Sequence, residues 1–313
     1  MNPINRSEMN QGIRHLTRKD IDTDRWDACV RNDPAGTLYA QSVCLDHLAT
    51  DWDALVLDDY AAVLPLPWKR KFGIRYICPP RFMGPLGIFG KLPAGMTETA
   101  FLAHIPESFR LWDMNLILSA STVPWPHRLR KNHLLPLKDA YEELEVSFRP
   151  ACRRIIRQCE SRGYTVLYDM PAADIIRLAT AGGKMKGTRV DDRNRLLALY
   201  DELSAGNMAF TRGIRDPSDR LLAAAIFFRC HRRIYYMVAW NNETGRKTGA
   251  SHFLMADLIR EYAGSGLILD FEGSDIPGIA FFFENFGAVP EDYFFIRHNR
   301  LPWWLRYFKA SLL

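Results

Sequence analysis

The chain has 313 residues, 48% of them hydrophobic and 25% charged, with a formal net charge of +5. That is enough apolar sequence for a large core and about two domains, with a mild basic excess that suits an anionic ligand but argues only weakly for nucleic acid. No apolar run approaches the roughly 20 residues that span a bilayer, and the opening "MNPINRSEMNQGIRHL" lacks an apolar signal core, so the expectation is a cytoplasmic protein.

In chain order, Asp24 to Leu48 reads as partly helical, with a helix starting at Ser42 and running through His47. "ALVLDD", "AAVLPLPW" and "IRYICPP" read as strands, with Asp58 and Asp59 at a hairpin turn. Pro65 and Pro67 place the second of these at a sheet edge or a bulge. "PPRFMGPLGIFG" is a structured loop, 97–110 a helix, and "MNLILSA" and "NHLLPL" are strands. A domain boundary is expected at 140/141, giving domains 1–140 and 141–313.

The second half opens on "SFRPACRRIIRQCESRG", a helix with Ser147 as N-cap, Pro150 in its first turn and Gly163 as its stop. Arg149, Arg153 and Arg157 fall four apart and share one face, either to meet phosphates or as a solvated face. "YTVLYD", "MAFTRGIRD", "RLLAAAIFFRC" and "IYYMVAW" are strands, and 171–180 and 191–204 are helices. "NNETGRKTGAS" is a polar loop before the helix "HFLMADLIREYAGSG". "LILDF", a short helix "IPGIAFFFENFG" and a last strand "DYFFIRH" follow. The fold class is α+β with α/β character, its sheet starting mostly antiparallel.

The loop before that helix is the sharpest local feature. Arg246 and Lys247 supply cations, Gly249 allows close backbone approach, and the N–H groups of 249–252 open a helix, a nest suited to phosphate or pyrophosphate. The other reading is a solvated turn capped by Thr248 or Ser251. The spacing matches neither a Walker loop nor a Rossmann fingerprint.

Arg246-Lys247-Thr248-Gly249-Ala250-Ser251 resembles the coenzyme A loop of the GNAT superfamily of N-acetyltransferases, Gln/Arg-x-x-Gly-x-Gly/Ala, departing at Ser251. More widely, "YEELEVSFRPACRRIIRQCESRG", "GASHFLMADLIREY" and "LDFEGSDIPGIAFFFENFGAVPEDY" resemble the FemAB-like, peptidoglycan-bridge-type branch of that superfamily, over about residues 24 to 300. The resemblance implies tandem GNAT-like domains, each a mixed, largely antiparallel sheet flanked by helices, with the donor site in the second. The leading reading is an N-acyltransferase that uses acyl-coenzyme A as donor, with residues 246–251 and the neighbouring His252 at the donor, while the resemblance itself does not separate this donor from aminoacyl-tRNA; the histidines show no HExxH or compact ligand spacing, so no metal is expected. The alternatives are a Fem-type aminoacyltransferase that uses aminoacyl-tRNA and a non-catalytic binding protein on the same fold.

N-acyl transfer needs a carboxylate near a neutral amine. Asp270 and Glu272 lie two apart on a strand, so they share a face if the strand continues that far, with Glu272 as base or amine anchor and Asp270 as its orienter. In the competing reading Asp270 binds backbone N–H groups of the following turn and Asp275 caps the next helix. Tyr293 is either a hydroxyl donor to the leaving thiolate or a sheet aromatic. Expected partners are a small-molecule or cell-envelope-precursor amine, with tRNA in the alternative reading and no DNA. The tail "LPWWLRYFKASLL" either touches a membrane surface or packs on its own domain.

Overall fold

The computed structural model describes residues 12–119, 123–183, 185–230, 232–273 and 276–301. Asp275 and residues 302–313 lie outside these, and with them the expected helix cap and nearly all of the aromatic, basic tail. The chain divides into two compact units, residues 1–129 with 293–313, and residues 130–292. The sequence reading drew its boundary at 140/141 and kept the last strand with the second half.

The chain begins with β1 (Ile13–Thr17), α1 (Thr23–Asn32), α2 (Ser42–Leu48), β2 (Asp51–Leu57), β3 (Ala62–Lys71) and β4 (Ile74–Ile77). Two short strands follow, β5 (Leu86–Gly87) and β6 (Phe89–Gly90), then α3 (Glu98–Leu102) and β7 (Phe109–Ile117). Strands β1 to β4 pair antiparallel in sequence, and β7 returns parallel to β4. Helix α3 starts where Thr97 accepts from the Ala100 N–H and is only five residues long, so the helix expected over 97–110 gives way to β7.

Strand β3 is not an edge. It pairs with β2 on one side and with β6 and β4 on the other. The Pro67 carbonyl accepts from the Cys78 N–H, so the ring nitrogens of Pro65 and Pro67 point to that second side. There they fall between the β6 ladder at Ala62–Val63 and the β4 ladder that begins at Trp68, and their missing N–H groups break no bond.

The chain continues with β8 (His127–Pro136), α4 (Tyr141–Ser147), α5 (Pro150–Ser161), β9 (Thr165–Tyr168), α6 (Ala172–Ala181) and α7 (Val190–Ala205). Then come β10 (Ala209–Arg215), β11 (Leu221–Arg229), β12 (Arg233–Asn241), α8 (Glu243–Thr248), α9 (Ala250–Tyr262), β13 (Ile268–Asp270) and α10 (Pro277–Glu284). In this unit β9 to β12 pair antiparallel, β13 lies parallel to β12, and β8 lies antiparallel to β13. Ser147 does not cap α5. It closes α4, its hydroxyl donating to the Leu144 carbonyl, while Pro150 opens α5 from an Arg149 cap.

Helix α5 turns Cys152, Ile156 and Cys159 inward, and α9 buries most of its length, since it lies between the sheet and α5. The core they share includes Phe148, Phe227, Leu254, Leu258 and Phe271. Arg212 of β10 is buried and pairs with both Asp257 and Glu261 of α9, which fixes the helix against the strand.

The final strand, β14 (Val289–Asn299), starts in the second unit and from Tyr293 belongs to the first. Its residues Phe294–Asn299 pair antiparallel with Leu116–Leu111 of β7. Among the described residues no helix is long and apolar enough to cross a membrane.

Candidate functional site

The pairing of β12 with β13 covers only Arg233–Tyr235 against Ile268–Asp270, and β12 then runs on to Asn241. The chain after β13 turns away instead of following it. The Phe271 N–H still donates to the His133 carbonyl of β8, but Glu272 takes φ +65°, the left-handed region. A wedge therefore opens between the two parallel strands. Tyr236 borders it, its ring against Phe271 and Phe283 at 6.4 and 6.5 Å. Crevices beyond the carboxyl ends of parallel strands are where α/β folds place ligands.

Because the strand ends at Asp270, the acids do not stand side by side on one strand face. Asp270 is 3% exposed and fully engaged. Its Oδ1 accepts from Asn132 Nδ2 at 3.0 Å and from the Glu272 N–H at 3.0 Å, and its Oδ2 accepts from Arg233 Nη1 at 2.9 Å. Asp270 thus orients Glu272 through the backbone. Burial is the largest influence on the Asp270 carboxyl and pushes it above the ordinary carboxylate value, against the pull of Arg233, Asn132 and the Glu272 N–H. Glu291 faces the same Arg233 at 3.9 Å, and burial raises its carboxyl too. Glu272 is half-buried at the wedge.

The expected glycine loop is mostly helix. Residues 243–248 form α8, capped by Asn242, whose side chain accepts from the Gly245 N–H. Arg246, Lys247 and Thr248 form its last turn, and Gly249, at φ +83°, is the left-handed joint that starts α9. A Cβ on Gly249 would overlap Ile155 Cγ2 of α5, so this glycine is required by helix packing. Lys247 pairs with Glu243 at 2.7 Å on the surface, whereas the exposed Arg246 guanidinium makes no hydrogen bond or ion pair among the described residues. Nor do the backbone N–H groups of Ala250 and Ser251.

Ser251, where the loop departs from the GNAT pattern, accepts from Asn241 Nδ2 at 3.0 Å. This bond ties the end of β12 to the first turn of α9. The Asn241 Oδ1 is buried and has no hydrogen-bond partner among the described residues. His252 lies edge-on to Phe282 at 4.8 Å, and burial lowers its imidazole to about 4, so it is neutral at pH 7. Tyr293 is 7% exposed in β14 and belongs to the first unit.

Sequence reasoning missed Asn132, Arg233, Asn241 and Glu291. The available signal was an arginine at the head of the apolar run "IYYMVAW". Charge there is unusual unless it is paired.

Measured against known structures, the chain has the fold shared by FemX and a tandem GNAT protein, an α+β fold whose mixed, mostly antiparallel sheet is flanked by helices. FemX matches with a TM-score of 0.65 at 13% identity, over 96% of this chain and 100% of that one. L-PGS from Bacillus licheniformis matches at 0.54 and 11%, over 93% and 96%. A tandem GNAT protein from the clavulanic acid biosynthesis pathway matches at 0.53 and 10%, over 93% and 99%. No protein-family model and no curated protein sequence matches the chain.

Proposed function

We propose that the chain is an N-acyltransferase, built from two tandem GNAT-like units, that moves an acyl group from acyl-coenzyme A to an amine. The observation that carries this reading is the wedge between β12 and β13, with the partly exposed first turn of α9 at Ser251 at the far end of β12 and Glu272 at the end of β13. The donor's pyrophosphate meets the Ser251 N–H group and the Arg246 guanidinium. It approaches from the side of Gly249 that Ile155 does not fill. The extended amide arm of the donor lies along β12, where the buried Asn241 Oδ1 accepts one of its N–H groups.

The acceptor amine attacks the thioester carbonyl from beside Glu272. The C–N bond forms, the C–S bond breaks, and Glu272 takes the proton that the nitrogen loses. Asp270 acts as a positioning residue through the Glu272 N–H. The sulfur leaves as thiolate and takes its proton from solvent or from a nearby hydroxyl such as the one expected of Tyr293. A small amine or a cell-envelope precursor amine suits this chemistry. A donor of this kind implies a cytoplasmic protein.

Calorimetric titration with coenzyme A and acetyl-coenzyme A, at low and physiological salt, tests the reading. Saturable binding weakened by Arg246→Ala supports it, and Glu272→Gln then retains donor binding and loses turnover. No binding at millimolar ligand overturns it. Aminoacyl transfer from charged tRNA is the second reading, supported by Arg154 and Arg157 on α5, which have no polar partner among the described residues.

A further inference from the structure

Helix α10 carries the apolar sequence Pro277-Gly-Ile-Ala-Phe-Phe-Phe, yet it buries only part of its surface. Phe283 packs on Phe271, and Phe282 packs on His252. Phe281 remains 53% exposed and Ile276 60% exposed, and Ile279 is exposed as well. Ile276 is the N-cap, and Ile279 and Phe281, two residues apart, point to different sides of the helix; of the three it is Phe281 that meets the cap of α5 at Arg149.

Phe281 is continuous with a basic surface. Arg149 stacks its guanidinium over the Phe281 ring at 4.4 Å and pairs with Glu284 at 2.7 Å. From Arg149 the surface runs into a groove between α4 and α5 of about 310 Å³, lined by Val146, Pro150, Arg153, Arg154 and Arg157, with Glu142 and Glu145 on the other wall. Arg153 is committed to the carbonyls of Glu145 and Val146. Arg154 and Arg157 are exposed and make no polar contact among the described residues, and Val146 is 74% exposed at the rim.

We infer that the α5–α10 face of the second unit docks on an anionic phospholipid surface. Phe281 and Val146 enter the acyl boundary, while Arg154 and Arg157 meet lipid phosphates and the groove receives a polar head group. Glu142 and Glu145 repel either polyanion alike, so the preference for lipid rests on the exposed Phe281 and Val146 beside Arg154 and Arg157, apolar side chains that a lipid boundary buries and a phosphate backbone does not.

The test is sedimentation of the full chain with vesicles of pure phosphatidylcholine and of equimolar phosphatidylcholine and phosphatidylglycerol, at low and high salt. Binding is expected to the mixed vesicles, to weaken with salt, and to be much weaker on the neutral ones. Each of Arg154→Ala and Arg157→Ala should weaken it about fivefold at low salt. Phe281→Ser should weaken it about tenfold without changing the salt slope. All three side chains lie on the surface, so thermal melts should be unchanged.

Absence of binding to the mixed vesicles overturns the inference. Binding that is lost when residues 302–313 are removed, but is indifferent to all three substitutions, assigns the contact to the tail and overturns it as well. Dependence on the arginines alone, with tRNA displacing the vesicles, would make this a nucleic-acid surface. None of these readouts uses acyl transfer, so the inference stands or falls apart from the proposed reaction.

Discussion

Gly249 sits directly against Ile155, and the methyl group of Ile155 occupies the position that any side chain at 249 would need. The glycine therefore answers to two demands at once, a left-handed backbone at φ +83° and contact between α5 and the start of α9. Gly249→Ala is expected to destabilise the protein by about 2 to 5 kcal/mol, combining the left-handed cost with overpacking. Ile155→Ala in the same chain removes the overlap but not the backbone strain, so the double variant should lose less than the sum of the singles. Urea unfolding of the four proteins measures this, and strict additivity would refute the contact.

Asp270 and Arg233 form a pair with side chains only 4% and 10% exposed. Removing one partner strands a buried charge, so Asp270→Ala is expected to cost about 3 to 5 kcal/mol. Replacing both, as Arg233→Met with Asp270→Leu, should cost less. Glu291, 3.9 Å from the same guanidinium, partly replaces Asp270 in the single variant, and Glu291→Gln in that background should deepen the loss. Denaturant midpoints decide it. Lost activity in Asp270→Ala identifies a positioning residue only after folding has been checked.

His252 is neutral in the folded chain because burial lowers it from 6.5 to about 4. The unfolded chain takes up this proton first. The folded state therefore holds the full advantage above about pH 6.5 and loses it as pH falls toward 4, by up to about 1.4 kcal/mol per pH unit. Between pH 7 and pH 5 the loss should be about 1 to 2 kcal/mol, and His252→Leu should flatten it. Urea unfolding at both pH values gives the slope. An equal slope in the variant would show that another group carries the acid sensitivity.

Strand-like runs were legible wherever the local pattern is strong, as in "IYYMVAW", which is β12, and "LILDF", which gives β13. Two features misled for tertiary reasons. Pro65 and Pro67 sit inside the sheet because the neighbouring ladder is interrupted beside them. "GRKTGAS" read as a loop because Gly245 and Gly249 look like breakers. Both glycines instead mark close packing, Gly245 against the Leu222 carbonyl and Gly249 against Ile155. The acids at 270 and 272 were found, but not what holds them. Asn132 is 138 residues from Asp270 in sequence, and such a pairing leaves no local trace.

The course of β14 was also invisible, since "DYFFIRH" reads the same in either unit. From Tyr293 it completes the first unit, where Arg297 makes two 2.7 Å bonds to Asp113, itself 8% exposed. A chain ending at Asp292 keeps every residue of the second unit but deprives β7 of its ladder from Leu111 to Leu116 and leaves Asp113 without its arginine. An edge created in this way exposes backbone groups and buries an uncompensated carboxylate. The expectation is that residues 1–292 lose amide protection in β7 and neighbouring β4 while β10 to β12 retain theirs. Hydrogen exchange read by mass spectrometry resolves the two regions. Full-length protection of β7 in the shortened chain would mean that the first unit does not depend on its returning strand, and Arg297→Ala would then be expected to leave that unit's stability unchanged.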